Sequence, residues 1–218
     1  MKTDKQVQQD VQAELQWEPS VDAAQIGVEV KDGIVTLSGS VSSYAAKRGA
    51  ENAAQRVAGV KALAGDMTVS IGAWAERTDS DIAKTAHEML SWTTFVPKDS
   101  VKVVVENGWI TLTGQVGREF QRRAACRAVR LLAGVTGVSD LITLNSPVSE
   151  SIVKGDIESA LARRAHADSE EIAVGVRGSQ VTLTGTVHSL AERDTATQSA
   201  WRAPGVYDVV DRMTMAST

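Results

Sequence analysis

Three stretches of the chain place glycines at a spacing that invites a phosphate-binding reading. They are VKDGIVTLSGSV from Val30 to Val41, VENGWITLTGQV from Val105 to Val116, and VRGSQVTLTGTV from Val176 to Val187. A dinucleotide-binding turn needs three glycines between a strand and a helix, and a P-loop needs Gly-Lys-Ser/Thr at the helix start. Neither pattern is present. Gly33, Gly39, Gly108, Gly114, Gly178 and Gly185 therefore read as turn and corner glycines. The histidines His87, His166 and His188 have no second His or Cys at ligand spacing, so no metal site is expected. The lone cysteine, Cys126, excludes an intrachain disulfide and says nothing about compartment. No nucleophile, acid/base pair or cofactor motif converges anywhere, and neither catalytic residues nor a cofactor are expected.

Two other residue types mark candidate surfaces. Arg118, Arg122, Arg123, Arg127 and Arg130 fall on one stretch of helical spacing. They suit either a solvated face or an anionic partner such as lipid headgroups. Five tryptophans stand at Trp17, Trp74, Trp92, Trp109 and Trp201. Two readings stand for them. Trp74, Trp109 and Trp201 seal contacts between neighbouring domains, or Trp17 and Trp92 sit at a bilayer headgroup region.

These residues are positioned by a repeat. Gly39, Gly114 and Gly185 are separated by 75 and 71 residues, and the same offsets align Val7, Ile82 and Val153 upstream and Met67, Ile142 and Met213 downstream. Three copies of one unit follow, at residues 1–73, 74–147 and 148–218. In each, a capping pattern at Thr3, Thr78 or Ser149 opens a helix with apolar residues at i, i+4 and i+8. Alternating residues such as Ile26, Val28 and Val30 then predict a strand. Asp32-Gly33, Asn107-Gly108 and Gly178-Ser179 predict hairpin turns, the first two of type I′ and the third of type II′. A second strand leads to an alanine-rich helix, in which Cys126 aligns with Glu51 and Thr197 and is expected to be exposed. Gly59, Gly134 and Gly205 end that helix, and a last strand follows. The predicted fold is α+β: three tandem α-β-β-α-β sandwich domains, each with two helices packed on a three-stranded sheet.

At 218 residues, 43% hydrophobic and 23% charged, the composition is that of an ordinary globular protein. The net charge of −4 is spread along the chain, so no nucleic acid partner is expected. The segment Met1–Gln12 has no apolar signal core, and no uninterrupted apolar run is long enough to span a bilayer. The chain as written is expected to be cytoplasmic.

The pattern V-x-[DN]-G-x-[VI]-T-L-[ST]-G-x-V, followed by an alanine-rich helix and A-G-V, resembles the BON domain, named for bacterial osmotic-stress and nodulation proteins. The third copy departs from it locally at Gly178-Ser179. The resemblance implies a non-enzymatic α/β sandwich that binds phospholipid surfaces or other envelope components, including envelope proteins, and it offers a periplasmic location as the alternative. The expected function is association with a membrane surface or envelope component, with a role in osmotic or other stress. The alternative is a cytoplasmic protein–protein adaptor of three rigidly packed domains.

Overall fold

The computed structural model describes residues 2–72, 76–145, 172–178, 180–203 and 206–216. The predicted helix opening at Ser149, together with Trp74, His166, Ser179 and Gly205, lies outside the described residues. The first unit contains α1 (Asp4–Trp17), β1 (Ile26–Lys31), β2 (Ile34–Val41), α2 (Tyr44–Arg56) and β3 (Ala62–Val69). The second contains α3 (Asp79–Trp92), β4 (Val101–Glu106), β5 (Trp109–Val116), α4 (Glu119–Arg130) and β6 (Gly137–Leu144). The third contributes β7 (Ile172–Arg177), β8 (Gln180–Val187), α5 (Leu190–Trp201) and β9 (Asp208–Met215).

The helices start where side chains satisfy free amides. Thr3 and Gln6 close a capping box on α1, and Thr78 and Asp81 close one on α3. Val7, Val11 and Leu15 form the buried stripe of α1, matched by Ile82, Ala86 and Leu90 on α3. Each sheet has the second strand of its hairpin in the centre, in the order β1-β2-β3, β4-β5-β6 and β7-β8-β9. The hairpin partners are antiparallel, whereas the strand that follows the second helix pairs in parallel, as a helical crossover requires. Val35 and Leu37, Ile110 and Leu112, and Val181 and Leu183 are fully buried under the helices. Each such side chain stabilises the fold by ~1.5–3 kcal/mol. Small residues let the second helix lie close, with Ala50, Ala53 and Ala54 sealed against the first sheet.

Both turn residues of the first two hairpins have positive φ, at Asp32 (54°) and Gly33 (80°) and at Asn107 (52°) and Gly108 (74°), as a type I′ turn requires. Gly178 has a φ of 60°. The strand glycines Gly39, Gly114 and Gly185 have φ of 119°, 133° and 133°. Gly39 sits directly opposite Ile26 in the ladder, and a Cβ there would collide with the carbonyl oxygen of Gln25. At Gly114 the equivalent collision is with Ser100.

The units contact one another head to tail, always in the same sense. Residues Ser42 to Ala45, at the start of α2, share a cleft with Arg130 to Val135, at the end of α4, and Tyr44 packs on the second core. Phe120 at the start of α4 faces Gln198, Trp201 and Arg202 at the end of α5. Leu190 at the start of α5 packs on the first core, and Met215 and Ala216 line a cleft with Lys2, Val7 and Gly59. Unit 1 thus leads to unit 2, unit 2 to unit 3 and unit 3 back to unit 1. This is a heterologous contact that closes after three steps.

Candidate functional site

The second helix of the middle unit carries the arginines. Its first residue, Glu119, is only 3% exposed, which is costly for a carboxylate unless it is paired. Arg123 supplies that pairing, with Nε donating to Oε1 of Glu119 at 3.0 Å. Arg122 Nη2 donates to the same oxygen at 3.1 Å, and its Nε lies 2.9 Å from Oε2 without hydrogen-bond alignment. Arg122 also approaches Asp140 at 3.5 Å. Two of the five candidate arginines are therefore committed to an internal network. Arg118, Arg127 and Arg130 form no ion pair among the described residues, and Arg130 Nε is buried with no hydrogen-bond acceptor among them. The sequence carried the signal for Glu119, since it stands at i−3 and i−4 from the two arginines.

Cys126 differs from its expected exposure. It is buried, although its repeat equivalents Glu51 and Thr197 are half-buried polar residues. Burial, followed by the charge and hydrogen bond of Asp140, pushes its thiol up to about 12. A thiol so protonated is a packing group and not a nucleophile. The physical reason is local cover: Cys126 joins the second core, and Arg122, Arg130 and Asp140 surround it where it faces the space between the helices.

The tryptophans occupy three environments. Trp17 and Trp92 are the last residues of α1 and α3 and are 85% and 84% exposed. Trp109 lies on the outer face of its own sheet, covering Gly137 and donating from Nε1 to Ser139 Oγ at 2.9 Å. Trp201 packs on the third core and, with Phe95 and Phe120, lines a cleft of about 230 Å³ between units 2 and 3. Phe95 and Phe120 meet edge to face at 5.7 Å, yet both remain substantially exposed, beside Arg123 and Arg127. Sequence reading missed these two phenylalanines. Phe120 replaces the alanines Ala45 and Ala191 of the other copies, which was the available signal.

Among the described residues no group of His, Cys, Asp and Glu has the arrangement of a metal site. Nor is any helix among them long and apolar enough to cross a membrane.

No curated protein matches the chain. Among solved structures it is similar to two of CdsD, a structural protein of the type III secretion system of Chlamydia trachomatis. The first is 17% identical, with 96% of this chain and 92% of that chain covered and a TM-score of 0.26. The second, of the C-terminal domain, is 14% identical, with 95% and 96% covered and a TM-score of 0.25. The BON domain matches residues 3–70, 78–146 and 149–217, and each described sheet falls within one match. Nearly the whole length is accounted for by these three matches, and the chain belongs to the BON domain family.

Proposed function

We propose that the protein is a non-enzymatic binding protein that docks on an anionic phospholipid surface through Trp17 and Trp92. The observation that carries this reading is their near-complete exposure at equivalent helix ends. Trp17 and Trp92 end equivalent helices, so the first two units present an exposed indole at the same point of the repeat. Tryptophan favours the headgroup region, where its apolar ring and polar N–H are both accommodated. Phe95 and Phe120 add exposed aromatic area on unit 2, and Arg118, exposed and without an ion pair among the described residues, supplies attraction to anionic lipid. BON domains are associated with phospholipid and membrane interaction, which agrees with this reading.

The test is sedimentation of the full chain with phosphatidylglycerol vesicles and with phosphatidylcholine vesicles at low salt. Binding should favour the anionic vesicles, weaken as salt rises, and fall about tenfold in Trp17→Ala/Trp92→Ala, equivalent to ~1.4 kcal/mol. Equal pelleting of the double variant would overturn the reading and leave the adaptor alternative, which the closed contacts between units favour.

A further inference from the structure

The closed arrangement turns the second helix of each unit toward a common cavity of about 430 Å³. Its walls come from equivalent positions of the three copies. Arg48, Arg123 and Asp194 form one level, and Asn52, Arg127 and Gln198 the other. Unit 2 adds Arg122 and Arg130, together with Glu119 and Asp140, so five arginines face three carboxylates.

The surplus charge is localised. Arg48 pairs with Glu51 at 2.6 Å, Arg122 and Arg123 are held by Glu119, and Asp194 accepts from Gln198. Arg127 and Arg130 remain, with no carboxylate partner among the described residues, and Nε of Arg130 is buried without an acceptor. Two guanidinium groups without a carboxylate partner, at i and i+3 of one helix and both lining the cavity, are available to a bound oxyanion. Arginine forks match the oxygens of phosphate, and Asn52 and Gln198 offer further amide donors.

We propose that this axial cavity binds one compact oxyanion of the phosphate class, held by Arg127 and Arg130. Free phosphate and a lipid phosphodiester headgroup share that chemistry. The site lies between the helices and apart from the exposed tryptophans, so it stands independently of the vesicle reading.

Isothermal titration calorimetry of the full chain with inorganic phosphate tests it, with the same titration of soluble dihexanoyl phosphatidylglycerol as a second arm. Phosphate should bind one per chain. Arg127→Gln, at an exposed position where folding is not at stake, should weaken it about tenfold, the scale of one charge-assisted hydrogen bond. Asp194→Asn, which removes an anion from the adjoining level of the same cavity, should tighten it several-fold. If the short-chain lipid binds with the same dependence on Arg127 and displaces phosphate, the source is a headgroup; if it does not bind, the source is free phosphate. Either result supports the site. Absence of binding by both ligands, or affinities unmoved by both substitutions, overturns it. Loss of vesicle binding in the tryptophan variant with phosphate titration intact would separate failure of one reading from failure of the other.

Discussion

Gly114 shows how little freedom a single position in this fold retains. Its φ of 133° lies where L side chains rarely go, and a Cβ would strike the Ser100 carbonyl. Gly114→Ala should cost ~3 kcal/mol or more, read as a shift in the urea midpoint. Gly178, with a φ of 60° and nothing within 4 Å of its absent Cβ, is the contrasting case. Gly178→Asn should stay within ~1 kcal/mol of the parent, because asparagine tolerates the left-handed region. Comparable losses at the two sites would contradict the assignment of Gly114 as a collision point. The turn glycines were legible in the sequence because positive φ is a local demand that leaves a local trace. Burial of Cys126 was not, because Asp140, one of the groups around it, is distant in sequence and meets it only in the fold.

At the scale of elements, the first helix of a unit grips the hairpin of that unit. The Asp4 carboxylate accepts from the amides of Asp32 and Gly33 at 2.8 and 3.0 Å, and Asp79 accepts from Asn107 and Gly108, both at 2.8 Å. Adjacent turn amides are a ready site for a carboxylate, and the two bonds fix the helix start over the turn. Asp79→Ala should therefore destabilise by ~1–3 kcal/mol, the scale of charge-assisted bonds. Asp10→Ala, which removes an exposed pair with Lys2, should change stability by less than ~0.5 kcal/mol. Thermal melts of the two variants check this, and equal shifts would refute it. The capping boxes that start α1 and α3 were readable because their partners lie three residues apart. The grip was not, because 28 residues separate Asp4 from Asp32 and nothing in either segment names the other.

For the whole molecule, the count of copies was legible from two constant offsets, but the closed contacts were not. They are made by residues that the repeat does not share, since Tyr44, Glu119 and Leu190 occupy one equivalent position with three chemistries. Units of about 70 residues bury little surface alone, so sharing cores across junctions adds stability. Calorimetry should show a single cooperative unfolding transition. Leu190→Ala should lower its midpoint even though the side chain belongs to one unit and packs on another, at a cost of ~2 kcal/mol. Three separate transitions in the parent protein would exclude this coupling. Covalent joining also has an evolutionary consequence at the axis. An assembly of three identical separate chains would place every residue there in triplicate, whereas here one level holds two arginines and an aspartate. Each corner is free to diverge alone, so the centre acquires an azimuth: an anion is drawn off the symmetry axis toward the middle copy and away from Asp194.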